Sequence, residues 1–165
     1  MSVFVIAEAG VNHNGDIRQA YKLIDAAVEA GADAVKFQTF KAEALASADA
    51  GKAEYQKKLT QANESQIDML RALELSHEAH FELKAYCEAK GIEFFSTAFE
   101  SESLRFLIEG LGLKRLKIPS GEITNHPFVY QHAESGLPII LSTGMASIEE
   151  IEQALKVIAG GYAKQ

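Results

Sequence analysis

Two lysines stand inside otherwise apolar runs of the sequence. Lys36 lies in the run AVKFQ, and Lys117 lies in the run LKI. A charge in such a run is costly to bury unless it faces a partner. Two ammonium groups directed at one place suit a phosphate or a carboxylate. The alternative is that each lysine pairs with a carboxylate as part of the packing, but the matching positions of the two favour an anion site.

Two glutamates are candidates for acid/base chemistry or sugar binding. Glu8 follows a run of apolar residues and is expected to be half-buried, which suits a carboxyl group that carries protons. The alternative is a structural carboxylate, satisfied by the lysines or by backbone N–H groups. Glu122, in the segment SGE, could instead accept hydrogen bonds from sugar hydroxyls.

Further polar residues follow the same apolar runs. Ser120-Gly121 and Ser142-Thr143-Gly144 offer hydroxyls and free N–H groups where anion oxygens could bind, although Ser and Gly are common in such turns. His13 could orient a substrate or cap the first loop. The other four histidines are interpreted as surface or packing residues, since no pair has metal-ligand spacing with a third partner.

The segments that hold these residues alternate between two periods. Short apolar, β-branched runs predict buried parallel strands at Val3–Ala7, Ala34–Phe37, Ile92–Ser96, Arg115–Ile118 and Pro138–Ser142. Apolar residues at steps of three and four predict helices, with stripes Ile17/Tyr21/Ile24/Val28, Ala79/Leu83/Tyr86 and Ile148/Ile151/Leu155/Ile158. Ser147 and Glu150 fit a capping box. Gly31, Gly91, Gly112 and Gly136 precede strands, where a left-handed residue ends the preceding helix.

Repeats of helix, glycine and strand predict an α/β fold, either an open doubly wound sheet or a TIM (β/α)8 barrel. No GxGxxG follows the first strand, which argues against a dinucleotide-binding domain. A barrel needs eight units, and five are predicted, so a truncated barrel is favoured over a complete five-unit sheet. The candidate residues collect at the C-terminal ends of the strands, where βα folds hold their active sites.

One connection is much longer than the others. Residues 39–76 form a polar insertion after the second strand, with a short helix predicted over Asn63–Leu73. Long loops in compact domains are usually functional lids or disordered. A lid is favoured because the insertion follows the C-terminal end of a strand.

The composition of the 165 residues limits the classes of function. The hydrophobic fraction of 47% suits one globular domain, and a formal net charge of −7 argues against nucleic-acid binding. Cys87 is the single cysteine, so no intrachain disulfide forms and a reducing cytoplasm is expected. The N-terminal residues lack the basic segment of a signal peptide, and no apolar run is long enough for a membrane span.

Six segments, in order and over nearly the whole chain, resemble the N-terminal barrel of the sialic acid synthase family, the N-acetylneuraminate synthases and their legionaminic and pseudaminic relatives. They are IAEAGVNHNG, ADAVKFQTF, ESQIDMLRALEL, FFSTAFE, LKIPSGEITNHP and PIILSTGMASIEEI. The resemblance implies that residues 1–165 are the N-terminal portion of a TIM barrel, with about five of eight units. The later strands and a small sugar-binding domain would lie outside this chain.

The resemblance also implies an activity: condensation of phosphoenolpyruvate with an N-acylated mannosamine-type sugar, giving a nonulosonic acid and phosphate. Lys36, Thr97, Lys117, Ser120 and Ser142 would hold phosphoenolpyruvate. Gln38 and Glu122 would contact the acceptor sugar, and Glu8 would manage the proton of the attacking water. A divalent metal, Mn²⁺ or Mg²⁺, would polarise the aldehyde from ligands outside this chain. The full-length protein is expected to be a cytoplasmic homodimer that binds neither nucleic acid nor membrane.

The chain departs from the family pattern at Ala98 and Glu100, where the family commonly has Pro and Asp or Ser. Two other functions stay open at this point. One is a different phosphoenolpyruvate or sugar-phosphate barrel aldolase. The other is an inactive, truncated barrel that serves as an assembly module. The 165-residue piece is expected to be inactive by itself, because later strands would supply the metal site.

Overall fold

The computed structural model describes residues 3–45 and 65–164, which form an α/β fold with parallel sheets. Strands β1 (Ile6–Gly10), β2 (Ala34–Thr39) and β3 (Glu93–Ala98) form one sheet in that order. Strands β4 (Leu116–Ile118) and β5 (Ile139–Leu141) form a second, parallel pair. Because β3 lies beside β4, the carboxyl ends of the strands face one side of the molecule.

Helices connect the strands, and three of them contain the predicted apolar stripes. They are α1 (Ile17–Glu29), α2 (Ala42–Leu45), α3 (Gln66–Leu73), α4 (His77–Lys90), α5 (Ser101–Arg105), α6 (His126–Ala133) and α7 (Ile148–Tyr162). A π-helical turn, Phe106–Gly110, extends α5, and a 3₁₀ turn, Ser120–Glu122, follows β4. The predicted capping box of Ser147 and Glu150 is confirmed, with both reciprocal hydrogen bonds present.

The helix-ending glycines are also confirmed. Gly31, Gly91, Gly112 and Gly136 all have φ between 62° and 74°, in the left-handed region. Glycine occupies this region without the steric cost that a Cβ imposes, so each position turns the chain from a helix into the next strand.

The core lies between the sheets and the helices. Its largest fully buried side chains include Phe37, Phe95, Ile24, Leu83 and Leu107. A smaller cluster of Ile118, Val129, Ala133 and Ile158 packs β4 against α6 and α7. Cys87 lies inside the main core, where burial raises the pKa of its thiol to about 12. A buried thiol with a raised pKa is seldom a thiolate, so Cys87 has a packing role rather than a reactive one.

The first strand begins later than predicted. Val3–Ala7 was expected, but pairing with β2 runs from Ile6 to Gly10. The carbonyl oxygen of Val5 instead accepts from the N–H groups of Asp33 and Ala34, in the turn before β2. Apolar character alone does not reveal where regular pairing starts, so Val3 and Val5 remain exposed although both are β-branched. The other four strands overlap their predicted ranges, with ends shifted by one or two residues.

The last helix buries only part of its predicted stripe. Ile158 is buried and Ile151 is partly buried, whereas Ile148 and Leu155 are exposed. Ala154 and Gly161, which are outside the stripe, are also buried, because small residues pack closely here. A Cβ added at Gly161 would lie 2.4 Å from the Cβ of Ala133, so α7 approaches α6 through its smallest side chains.

The described flanks of the insertion are held to each other. The Glu74 carboxylate accepts from Lys41 Nζ at 2.9 Å and from the Ala42 N–H at 2.9 Å. The predicted helix appears as α3, and α2 was not predicted. Residues 46–64, which include the first part of the predicted helix, lie outside the described residues. None of the described helices is both long and apolar enough to span a membrane.

Candidate functional site

A cleft of about 310 Å³ opens at the carboxyl ends of the strands. Five of the predicted site residues line it: Glu8, Lys36, Gln38, Thr97 and Lys117. The sheet register brings them together, because Glu8 pairs with Lys36 and Gln38 pairs with Thr97 across neighbouring strands. The remaining lining residues are Gly10, Val11, Asn12, Phe99 and Pro119.

Lys36 and Glu8 form an ion pair at the floor of the cleft. Lys36 Nζ lies 2.6 Å from one carboxylate oxygen of Glu8 and 2.9 Å from the other. The Lys36 side chain is 6% exposed, whereas that of Glu8 is 54% exposed. The carboxylate therefore satisfies the buried ammonium group while remaining accessible to a molecule in the cleft.

The exposure of Glu8 agrees with the expected half-burial, and a β-bulge sets its position. Glu8 pairs with Lys36 but Gly10 pairs with Phe37, so Ala9 is the extra residue of the bulge. A bulge bends its strand and redirects neighbouring side chains. The Glu8 side chain accordingly faces the open cleft, with about half of its surface exposed.

Lys117 lies in the same cleft but, in the described part of the chain, has no carboxylate partner comparable to the one that Lys36 has in Glu8. Within residues 3–45 and 65–164, its ammonium group forms neither a salt bridge nor a hydrogen bond. Burial and the positive charge of Lys36 lower the pKa of Lys117, and the charge of Glu8 partly opposes them. An anion in the cleft would reverse this shift, because it stabilises the charged form of the lysine.

Thr97 contributes a buried hydroxyl to the cleft. The residue is 1% exposed, and its Oγ1 has no hydrogen-bond partner in the described part of the chain. Leaving such a group unpaired costs free energy. A ligand oxygen in the cleft could satisfy this hydroxyl, so Thr97 has the properties expected of a binding residue.

Ser120, Glu122 and Ser142 lie beside the cleft, on the β4–β5 side, and do not line it. The Ser142 N–H donates to the carbonyl oxygen of Ile118 at 3.1 Å, which places Ser142 next to the end of β4. Glu122 accepts from Asn125 Nδ2 at 2.8 Å. The structure thus brings five of the eight predicted residues together and leaves three on the adjoining rim.

His13 caps the first loop, as one of its two predicted roles required. It is fully buried, and its Nδ1 accepts from the Gly15 N–H at 3.0 Å. Burial, followed by the nearby charge of His80, lowers the pKa of His13. Its side chain does not line the cleft, so the geometry supports the structural role.

Sequence reasoning missed several cleft residues. Asn12 lies two residues after the end of β1, and Phe99 lies two residues after Thr97. Their positions shortly after strand ends could have identified them, since loops after parallel strands commonly supply binding residues. Glu100 has a different role, because its carboxylate accepts from the N–H groups of Glu102 and Ser103 and caps α5. The departure from the family pattern at Glu100 is therefore a helix cap.

The described residues do not fit a metal ion. Among them, no group of three or more His, Cys, Asp or Glu side chains is arranged to hold one. The cleft combines two lysines, one carboxylate and a free hydroxyl, which is chemistry for binding an anion.

The chain is similar in sequence to known synthases. The N,N'-diacetyllegionaminic acid synthase of Legionella pneumophila is 52% identical over 162 residues, covering 98% of this chain and 45% of that protein. The enzyme of the same name from Campylobacter jejuni is 53% identical, covering 98% of this chain and 48% of that protein. The chain thus spans about half the length of these curated relatives.

A solved structure gives the same result. The N-acetylneuraminic acid (sialic acid) synthetase of Leptospira borgpetersenii, in complex with citrate, superimposes with a TM-score of 0.81 at 33% identity, covering 98% of this chain and 52% of that one. A model described as the NeuB family matches residues 23–165. The resemblance drawn from the motifs is confirmed, and the chain belongs to the NeuB family.

Proposed function

We propose that this chain is the N-terminal part of a synthase that condenses phosphoenolpyruvate with an N-acylated mannosamine-type sugar, giving a nonulosonic acid and phosphate. The observation that carries the proposal is the cleft at the strand ends, where Lys36, Lys117 and the unpartnered hydroxyl of Thr97 meet. Phosphoenolpyruvate has the two anionic groups that such a cleft suits. The names of the relatives support the same reaction.

The corresponding fold is a TIM barrel to which residues 1–165 contribute about five of eight units. Two observations support it. Val3, Phe4 and Val5 are exposed before β1, and all three residues of β5 are only partly buried. Met145, Ile148 and Leu155 are exposed beyond β5. Further barrel units would cover these apolar surfaces, and a small sugar-binding domain would follow them. We expect residues 39–76 to act as a lid, and the full protein to be a cytoplasmic homodimer.

Within this proposal, the phosphate and carboxylate of phosphoenolpyruvate bind Lys36, Lys117 and Thr97, with Ser120 and Ser142 approaching from the adjoining rim. The incoming anion raises the pKa of Lys117, which burial had lowered. Lys36 forms an ion pair with Glu8 at 2.6 Å. Gln38 and Glu122 contact the acceptor sugar.

The reaction joins C3 of phosphoenolpyruvate to the aldehyde carbon of the sugar; the C2–C3 double bond supplies the electron pair, and the aldehyde oxygen takes up a proton. Water then adds to the cation left at C2 and gives up a proton, and the tetrahedral intermediate loses phosphate. We assign the proton of this water to Glu8, because its carboxylate lines the cleft and about half of its side chain is exposed. The family resemblance implies a divalent metal that would polarise the aldehyde. We propose that its ligands lie elsewhere in the protein.

The test supplies the full-length protein with phosphoenolpyruvate, Mn²⁺ and a panel of acceptors, and measures phosphate release. The panel contains N-acetylmannosamine and a 2,4-diacetamido sugar, and we expect the latter to be preferred because of the names of the two relatives. Lys117→Ala should lower kcat/KM for phosphoenolpyruvate about 30-fold or more, since a charge-assisted hydrogen bond contributes about 2 kcal/mol. Lys114→Ala, an exposed lysine before the same strand, is the matched control. Absence of phosphate release with every acceptor would overturn the proposal.

A Schiff-base aldolase is the second candidate, and one observation favours it. Lys117 has a lowered pKa, and a nucleophilic lysine must be neutral to attack a carbonyl group. Borohydride reduction in the presence of pyruvate would then attach a stable adduct to Lys117, detectable by mass spectrometry. An unmodified Lys117 together with phosphate release would reject the aldolase.

A further inference from the structure

A chain of hydrogen bonds lies behind the cleft, on the helix side of β2 and β3. Ser96 Oγ lies 2.7 Å from Thr39 Oγ1, and Thr39 Oγ1 lies 2.8 Å from His80 Nε2. His80 Nδ1 lies 2.8 Å from the carbonyl oxygen of Ser76, the residue that caps α4. The side chains of Thr39, His80 and Ser96 are all buried. The network therefore connects the start of α4 to the ends of two strands, out of reach of solvent.

Donors and acceptors in this network can be assigned by starting from the Ser76 carbonyl oxygen. The Ser76 carbonyl oxygen can only accept, so His80 Nδ1 carries the proton. In the neutral ring Nε2 is then the acceptor. Burial favours this neutral form by lowering the pKa of His80, although hydrogen bonding to the backbone of Ser76 and Gln38 opposes the shift. The Thr39 hydroxyl then donates to His80, and the Ser96 hydroxyl donates to Thr39. Each link is a directional bond between different elements of the fold.

On both strands, a residue of the network is the sequence neighbour of a residue that lines the cleft. Thr39 directly follows Gln38, and Ser96 directly precedes Thr97. Successive residues of a strand point to opposite faces. While Thr39 and Ser96 face α4, Gln38 and Thr97 line the cleft, where they are register partners. Any displacement of Thr39 or Ser96 therefore moves a cleft residue with it.

We propose that His80 is a positioning residue for the synthase reaction. Through Thr39 and Ser96 it fixes the ends of β2 and β3, and it thereby sets where Gln38 meets the acceptor and Thr97 meets phosphoenolpyruvate. Apolar packing has little directional preference, whereas hydrogen bonds fix atoms to within a few tenths of an ångström. A misplacement of about 1 Å is enough to cost about 10²-fold in rate. The inference rests on the proposed function, because it gives roles to two of its substrate-binding residues.

The chain contains a matched control in His132. It is 1% exposed, as is His80, and its Nδ1 donates to the carbonyl oxygen four residues earlier, that of Phe128, at the same distance of 2.8 Å. Its Nε2, however, has no hydrogen-bond partner among the described residues. His132 therefore shares the burial and the helical bond of His80 but lacks the link to the strand ends.

The experiment compares four variants of the full-length enzyme: His80→Asn, His132→Asn, Thr39→Val and Thr39→Ser. Both histidine variants should lower the melting temperature by similar amounts. Only His80→Asn and Thr39→Val should lower kcat/KM for both substrates, by about tenfold or more. Thr39→Ser keeps the hydroxyl and should recover to within about twofold of the wild type. If His80→Asn does not fold, the two Thr39 variants decide the question alone.

Wild-type kinetic constants for Thr39→Val would overturn the positioning role, and so would an equal loss in His132→Asn. The proposed function can fail separately. If the wild type binds phosphoenolpyruvate but releases no phosphate, calorimetric titration of phosphoenolpyruvate decides the role of the network. Affinity weakened at least about fivefold in Thr39→Val, but not in Thr39→Ser or His132→Asn, would support it, and equal affinities would overturn it. A wild type that binds no phosphoenolpyruvate would overturn both proposals.

Discussion

Three residues of the cleft differ in how well the protein satisfies them. Lys36 is paired with Glu8, Lys117 lacks a salt bridge within the described residues, and the Thr97 hydroxyl lacks a partner there. An anion would stabilise the charged form of Lys117 and accept a hydrogen bond from Thr97. A bound anion would therefore supply the partners that Lys117 and Thr97 lack within the described part of the unliganded protein. An unsatisfied buried group lowers the stability of the folded protein. A mutation that removes such a group can therefore weaken ligand binding without lowering the free energy of unfolding.

Replacing Thr97 by valine tests this separation. The change keeps the shape of the side chain and removes an unpaired buried hydroxyl. We expect the free energy of unfolding to stay level or rise by about 1 kcal/mol, because an unsatisfied polar group is removed. Phosphoenolpyruvate affinity should fall about five- to tenfold, the value of one hydrogen bond. Urea denaturation and calorimetric titration of the full-length protein measure the two quantities.

The control is Ser103→Ala. The Ser103 hydroxyl is also buried without a partner in the described part of the fold, but it lies on α5 and does not line the cleft. Its removal should leave phosphoenolpyruvate affinity unchanged. Unaltered affinity in Thr97→Val would exclude Thr97 as a ligand.

Site residues could be predicted where the neighbouring sequence alone shows that burying them costs free energy. Lys36 and Lys117 stood out because a charge within an apolar run needs a partner nearby. The β-bulge beside Glu8 was not predictable, because it exists only once β1 pairs with β2. The network of His80 was equally hidden, since its bond to Thr39 joins residues 41 positions apart. No local spacing in the sequence marks such a contact.

At the level of elements, the loop between β1 and α1 packs tightly against helix α3 of the insertion. Gly15 has φ of 74°, and a Cβ added there would lie only 2.3 Å from the carbonyl oxygen of Ala72. The same loop carries Asn12, which lines the cleft, and His13, which caps Gly15. The insertion therefore supports the cleft through backbone contact at Gly15.

Gly15→Ala should consequently cost more than backbone strain alone. Gly31 has the same φ of 74° but nothing within 4 Å of an added Cβ, so Gly31→Ala isolates the strain. We expect Gly31→Ala to lower the free energy of unfolding by about 1 kcal/mol and Gly15→Ala by at least about 1 kcal/mol more. Only Gly15→Ala should reduce turnover, because it displaces the loop of Asn12. Equal losses of stability in the two variants, measured in urea, would contradict the backbone contact.

Elements with strong periodicity were predicted well, and their packing was not. The alternation of strands and helices and the left-handed glycines followed from apolar spacing and turn chemistry. The full buried face of α7 did not, because it includes Gly161, which packs closely against Ala133 and is not part of the apolar stripe. The start of β1 was also wrong, since it depends on hydrogen bonds from Asp33 and Ala34 to Val5. Long-range contacts decided both features.

For the whole molecule, the buried histidines connect stability to pH. Burial lowers the pKa of His13, His80 and His132 in the folded protein, while the unfolded chain protonates them near pH 6.5. The unfolded state therefore binds more protons below about pH 6.5, and stability must fall as the pH falls. The histidine contribution is complete above the unfolded-state pKa and is lost as the pH decreases through the folded-state values. Carboxylates titrate at lower pH and contribute little in this window.

We predict that the free energy of unfolding falls between about pH 6.5 and pH 5, by up to about 1.4 kcal/mol per pH unit for each buried histidine. Urea denaturation at half-unit intervals of pH measures this slope. His132→Asn should reduce the slope by the share of one histidine, since the unfolded chain then binds one proton fewer. A constant free energy of unfolding from pH 7 to pH 5 would mean that the buried histidines protonate within the folded protein, and the polarity assigned to the His80 network would then be wrong.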